Sequence, residues 1–330
     1  RMDAEIRGER QPLWNERVLR EQANLQAAFD YALAEADLAE GALTLCANLC
    51  WYFRVQGEYY RASQWLDAAL QVTHVQSLHR ARALIANGIV HHHRAMHQRA
   101  IVLLQEGISL AVQLGDDVLA ASGQGVLAFE LAGCGDFDGS EQCVESALSV
   151  AREHASDWLR SLALLSRGVA CAMRGQHRDA EAWMSEAAEL MSLPGADIFQ
   201  QGYVLINRAL QRYLSEDVRG AAQDWLRMLD MSVRLQHQRA IAGCIEGTAY
   251  LVLKRGDARC AATLLGAAAF VRELTDAPLF PHWHKAHAQA EARSMEVLGN
   301  AFTTIQSQGA AARLEDVVEQ TRALLSDLVA

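Results

Sequence analysis

The sequence predicts an all-α repeat fold: a right-handed superhelix of about six helix pairs, flanked by capping helices at both ends. Three observations carry this. Only four prolines occur in 330 residues (Pro12, Pro194, Pro278 and Pro281), and between Asp37 and Ala277 apolar residues mostly recur every three or four, the period of a helix with one buried face. Strand signals are absent, with no sustained apolar alternation and no Asn-Gly or Asp-Gly turn between β-branched runs. Finally, the chain repeats itself. "GEYYRASQWLDAAL" from Gly57, "GQHRDAEAWMSEAA" from Gly175 and "GDARCAATLLGAAA" from Gly256 align on a glycine followed five residues later by alanine. "GDFDGSEQCVESAL" from Gly135, "AMHQRAIVLLQEGI" from Ala95 and "DVRGAAQDWLRML" from Asp217 fall between them, at intervals of 38, 40, 40, 42 and 39 residues.

Taken in order, residues 1–36 hold an N-terminal extension and a leading helix from about residue 12, residues 37–277 the repeat array, and residues 278–330 the C-terminal capping helices. The opening "RMDAEIRGER" reads neither as a signal peptide nor as a natural start, so an excised fragment is expected. Within each repeat the glycine marks a tight turn between antiparallel helices, where a left-handed backbone costs glycine least. The small residue five positions on (Ala62, Ala100, Ser140, Ala180, Ala222, Ala261) lets the second helix approach the first. A bulky residue eight past the turn (Trp65, Leu103, Trp183, Trp225, Leu264) fills the space between them. Seven residues before the turn lies another mostly small position, Cys50, Gly88, Ala128, Gly168 and Ala249, with Leu210 the exception. This small–aromatic–turn–alanine pattern resembles the tetratricopeptide repeat, stretched beyond its usual length.

Composition limits the function. A formal charge of −10 and a pI near 5.6 make this segment a poor nucleic-acid binder, because phosphate backbones are held by basic surface. The longest apolar run, "LLGAAAFV" at 264–271, falls far short of the roughly 18 residues of a membrane span, so no membrane association is expected. Seven cysteines without a C-x-x-C pair fit a reduced, cytoplasmic setting better than a disulfide framework. Cys46 and Cys50, four apart on one helix, read as small buried side chains.

Three stretches invite chemistry. "HHHRAMH" at 91–97 is histidine-rich, but His91 takes the slot that holds Phe53 and Tyr213 in other repeats. His92 and His93 close the same helix, where basic groups suit the dipole. Packing is expected there. "PHWHKAH" at 281–287 places His284, His287 and Glu291 on one helical face, a set able to hold zinc. A metal-dependent enzyme built on them is one alternative, although no H-E-x-x-H order is present. "DFDG" at 136–139 lacks the remaining ligands of a calcium loop and belongs at an inter-helix turn. No Walker A loop, G-x-G-x-x-G or G-x-S-x-G occurs. A non-enzymatic protein with no cofactor and no metal is the expectation.

The first helix of each pair in such a stack lines an inner surface. Counting back from each turn assigns to a concave groove Trp51 and Arg54; Arg82, Ile85, Ile89 and His92; Phe129; and Leu162, Leu165, Val169 and Met173. The last two pairs add Asn207 and Gln211, then Glu246, Tyr250 and Lys254. An apolar middle with polar ends suits a small-molecule inducer, a peptide or a protein segment.

Both ends add a more specific likeness. "WNERVLREQANLQAAFDYALAEAD" from Trp14 resembles the W-x-x-R-x-x-x-E-x-x-N-L-x-A-A opening of the repeat region in large bacterial signal-transduction ATPase regulators (MalT-like), often joined to LuxR-type DNA-binding domains. Trp14, Arg17, Glu21, Asn24, Leu25, Ala27 and Ala28 match. Phe302, Gly309 and Leu314 in "LGNAFTTIQSQGAAARLEDVVEQ" match that family's closing segment. The resemblance implies a cytoplasmic sensor that receives an inducer or protein and relays it to ATPase and DNA-binding domains of its parent chain. A protein-interaction scaffold or homodimerisation module is the main alternative.

Overall fold

A computed structural model describes residues 10–330; residues 1–9 of the expected extension lie outside the described residues. Among the described residues all regular structure is helical. Two helices lead, α1 (Gln11–Arg20) and α2 (Gln22–Ala34), where one was expected; the break falls at Glu21. Six hairpins come next: α3 (Ala39–Gln56) with α4 (Tyr59–Val72), α5 (Leu78–His93) with α6 (His97–Gln113), α7 (Asp117–Gly133) with α8 (Phe137–Glu153), α9 (Asp157–Met173) with α10 (His177–Leu190), α11 (Ile198–Leu214) with α12 (Val218–Leu235), and α13 (Gln238–Lys254) with α14 (Ala258–Leu274). Beyond them lie α15 (His284–Leu298), α16 (Phe302–Ala310) and α17 (Leu314–Val329). The fold is an all-α array of tetratricopeptide-like hairpins.

Left-handed residues sit at the hairpin turns as the repeat demands: Gly57, Ala95, Gly135, Gly175, Glu216 and Gly256. In the fifth repeat the register is corrected by one residue. Glu216 (φ 72°) makes the turn, and Asp217 caps α12 by accepting the Gly220 N–H. Asp136 does the same for Gly139, which explains "DFDG" as a cap. A second left-handed set, Gly115, Ala155, Gly195 and Gln236, joins the second to sixth hairpins along the chain, and Asp276 follows the last; the first hairpin ends instead on extended Thr73. Asp116 and Ser156, each directly after such a residue, cap α7 and α9.

The chain forms two compact units. The first contains the described residues up to Ala170 together with Glu186–Gln201. Ala62, Ala100 and Ser140 are fully buried at its hairpin contacts, and Ser140 Oγ donates to the Ala128 carbonyl at 2.9 Å. Phe29 of α2 stacks flat on Trp65 at 4.2 Å, joining the leading helix to the first hairpin. Ile85, Leu104, Val126 and Leu127 form the core between the second and third hairpins.

The second unit contains Cys171–Ser185 and Gly202–Ala330. Ala180, Ala222 and Ala261 are buried as the repeat requires. Trp225 is fully buried against Gly247, where a Cβ would lie 2.2 Å from the indole. Helices α14 and α16 cross at still closer range: a Cβ on Gly309 would lie 1.9 Å from the Thr263 carbonyl oxygen, and one on Gly266 equally close to that of Gln306.

Candidate ligand-binding site

The first unit encloses a pocket of about 900 Å³. Four helices form the wall: Asn48, Trp51 and Arg54 from α3, Arg82, Ile85 and Ile89 from α5, Leu119 and Val126 from α7, and Trp158 and Leu162 from α9. Their spacing of three, four or seven residues puts them on one face of each helix. The segment Leu190–Gln200 completes the enclosure. Here α10 stops short, and Pro194 with left-handed Gly195 (φ 80°) turns the chain back.

This closing segment is pinned at both sides. Asp197, buried, caps α11 through the Gln200 N–H at 3.1 Å and accepts the Trp158 indole N–H at 3.0 Å. Phe199 meets Trp51 edge-on at 5.1 Å, and the Arg54 guanidinium lies 4.8 Å from the centre of each of these rings. Arg54 Nε also donates to His93 at 3.3 Å. At the exposed side Arg82 is 3.9 Å from Asp116, a loose ion pair.

Two carboxamides stand out among the lining residues. Gln200 is buried, yet its Nε2 has no hydrogen-bond partner. Asn48 is half-buried, and its side chain makes no hydrogen bond to the described residues. Unsatisfied buried donors are uncommon, because each forgoes its hydration without replacement. A polar ligand group would restore that bond.

Of the groove expected from the sequence, Trp51, Arg54, Arg82, Ile85, Ile89 and Leu162 line this pocket. Leu165 and Val169 are buried; Met173 is half-buried and not among the lining residues. Several assignments need correction. His92 and Phe129 are buried beside each other, with ring centres 5.5 Å apart. His92 and His97 both bond to Glu130, a carboxylate with only 1% exposure, and the His97 bond is 2.8 Å. Burial works to raise the Glu130 carboxyl, but its two imidazole partners outweigh burial and hold it below the ordinary value. "HHHRAMH" is therefore packed, as expected, around a buried acid that sequence periodicity did not reveal. His91 lies 3.3 Å from the Met96 sulfur, and burial lowers its pKa.

In the second unit Asn207, Gln211, Glu246 and Tyr250 are buried and bonded within the protein. Asn207 donates to the Tyr203 carbonyl and accepts from His282, both at 2.7 Å. Gln211 pairs with His177 at 3.0 Å. Glu246 binds the Tyr250 hydroxyl, Arg272 and His287. Burial lowers the Arg272 pKa to about 10, which leaves it charged at neutral pH and able to neutralise Glu246. The reason for the correction is local: the chain's own Pro281–His287 segment bonds Asn207 and Glu246 and packs Trp283 on Tyr250, while His177 takes Gln211. Lys254 is exposed, ion-paired with Glu216 and 5.2 Å from the Tyr213 ring centre. His287 lies between Glu246 (2.7 Å) and Glu291 (3.5 Å), but His284 is turned to the Leu279 carbonyl at 3.1 Å, so the expected set of three is not brought together. Among the described residues no three His, Cys, Asp or Glu side chains are placed to hold a metal ion.

Among the lining residues that helical counting missed are Asn48, Leu119, Val126 and Trp158, and Asp197 and Gln200 on the closing segment. That segment's one sequence signal is Pro194-Gly195, the only proline inside the array. Among the described residues no helix is long and apolar enough to cross a membrane.

No family model matches the chain, and no curated protein matches it in sequence. Solved structures do resemble it in fold. A Rap protein complexed with competence and sporulation factor superimposes with a TM-score of 0.60 at 13% identity, over 87% of this chain and 76% of that one. The Rap conjugation gene regulator of the plasmid pLS20, in complex with the Phr* peptide, gives 0.54 at 13% identity, over 82% and 76%. This protein thus shares the all-α helical-repeat fold of Rap regulators.

Proposed function

We propose that the first unit is a receiver for a short peptide, bound in the pocket between α3, α5, α7 and α9, and that occupancy is relayed to a partner or to further domains of the same parent chain. The observation that carries this is the buried, unpartnered Gln200 amide in a pocket of about 900 Å³, near the upper end of the size that engulfs small ligands. The apolar centre (Ile85, Ile89, Leu119, Val126, Leu162) would take aliphatic side chains. Gln200 and Asn48 would meet peptide carbonyls and amides. Rap proteins of like fold, one of them holding a peptide, support the class of ligand. The Trp14–Ala28 and Phe302–Leu314 motifs favour a cytoplasmic bacterial transcriptional regulator as the parent, with ATPase and LuxR-type DNA-binding domains elsewhere. A complete reading frame carrying neither would remove that context without touching the pocket.

The test is a screen of linear peptides of three to six residues by native mass spectrometry, followed by titration of the best binder. Trp51→Ala and Gln200→Ala should each weaken it at least tenfold, since removing a central aromatic anchor or a buried donor commonly costs more than about 1 kcal/mol. Equal affinity for both variants and the parent would end the assignment.

A further inference from the structure

The second unit carries its own peptide, and it is built like a recognition complex. Between α14 and the short turn Pro281–Trp283, residues 277–280 have no regular secondary structure. Phe280 has φ −68° and ψ 146°, the polyproline II conformation. The sequence there is Pro278-Leu279-Phe280-Pro281, a P-x-x-P spacing followed two residues later by Trp283. Such segments bind by docking into aromatic-lined grooves, where their stiff backbone loses little entropy.

The surroundings match that description. The Phe280 ring meets Tyr203 edge-on at 6.0 Å and is covered by Arg239, whose guanidinium lies 4.1 Å from its centre. Arg239 also donates to the Pro278 carbonyl at 3.1 Å. His282 bonds Asn207 at 2.7 Å. Trp283 is buried among Tyr250 at 6.3 Å and Trp225 at 6.4 Å. Backbone carbonyl, aromatic, imidazole and indole are each engaged by a different side chain of α11, α12 or α13. On the same helix as Asn207 and one turn further, Gln211 keeps a buried Nε2 without a partner, as does the Trp225 indole N–H. The face therefore offers donors that its present occupant does not use.

The geometry points to a second peptide site, on the α11–α13 face, that recognises an extended Pro-x-x-Pro-x-aromatic segment and is held by the chain's own Pro278–Trp283 strap. An incoming segment from another protein would compete with this tethered copy. A short tether gives an effective concentration on the order of millimolar, so the site is closed to weak ligands until the strap is released. This site is independent of the first unit's pocket.

The probe is a fluorescent synthetic peptide spanning Asp276 to Lys285. The full chain with Phe280→Ala and Trp283→Ala together, which loosens the strap but leaves Tyr203, Asn207, Tyr250 and Trp225 in place, should bind it at least 100-fold more tightly than the parent chain. A probe with the same two alanines should not bind, and adding Asn207→Ala to the loosened chain should weaken the intact probe at least fivefold. A loosened chain that keeps its helicity but ignores the probe overturns the proposal, as does equal binding to parent and loosened chains. If the loosened chain does not fold, hydrogen exchange on the parent decides. Exchange of the 279, 280, 282 and 283 amides through an opening not shared by α11 and α13 supports a releasable strap; exchange only with unfolding of those helices refutes it.

Discussion

Glu130 shows how much one residue can determine locally. It lies within a helix whose neighbours are apolar, is almost wholly buried, and is kept charged by His92 and His97. Because its folded pKa is below the ordinary 4.5, its stabilisation is complete above that value and is lost as pH falls through the folded pKa. His91 is depressed below the ordinary 6.5, so below that pH the unfolded chain takes up a proton the folded one resists. Both effects have the same sign. Urea midpoints should fall as pH drops below about 6.5 and again below about 4.5, and Glu130→Gln should flatten the part below 4.5 at a cost of about 1–3 kcal/mol at pH 7. A steeper slope in the variant would show that Glu130 is not the group responsible. Trp51 and Tyr250 make a second contrast at this scale. Tyr250→Ala removes a fully buried ring that bonds Glu246 and should destabilise by about 3–5 kcal/mol. Trp51→Ala removes a buried ring that also lines the pocket, so it should lower both stability and peptide affinity, whereas Tyr250→Ala should leave affinity unchanged. A peptide titration and a melt of each variant separate the two.

At the scale of the element, turns and crossings do the specifying. Each hairpin turns on a left-handed residue, in three of them followed at once by a capping Asp, so there one dipeptide stops a helix and starts the next. Asp136→Ala should cost about 1 kcal/mol by removing the Gly139 bond, measurable in urea unfolding. The α14–α16 crossing is less forgiving. Gly309 approaches the Thr263 backbone so closely that any side chain forces the helices apart. Gly309→Ala should therefore cost about 1–3 kcal/mol or more, in contrast to Gly133→Ala, where an added Cβ meets open space. Equal stability of these two variants would exclude a close crossing. The crossing gives Gly309 a structural role in this chain, backbone approach to Thr263.

For the molecule as a whole, two units built from one repeat have different inner faces. The first unit keeps a pocket, closed by Leu190–Gln200. In the second, Asn207 and Glu246 are engaged by His282 and His287 of the chain's own Pro281–His287 segment. A peptide bound at Trp51 and Gln200 should slow hydrogen exchange in α3, α5, α7, α9 and residues 190–200, and leave the α13 and α14 amides unchanged. Protection centred on α13 would instead place the ligand in the second unit and remove the pocket assignment.

Much of this was legible without coordinates. Helical period, a repeat of about forty residues and the alanine five past each turn depend on neighbours close in sequence, and those interactions are set by local chain geometry. Trp51, Arg54 and Arg82 could be placed at a pocket for the same reason: each repeat presents equivalent positions on the same face. What the tertiary structure alone decided is which inner face is filled. Gln200 reaches the pocket because Pro194-Gly195 redirects the chain, and Asn207 lies under His282, 75 residues away in sequence. Periodicity carries no information about contacts at that separation, since they arise from where a nonrepeating segment packs once the hairpins have formed.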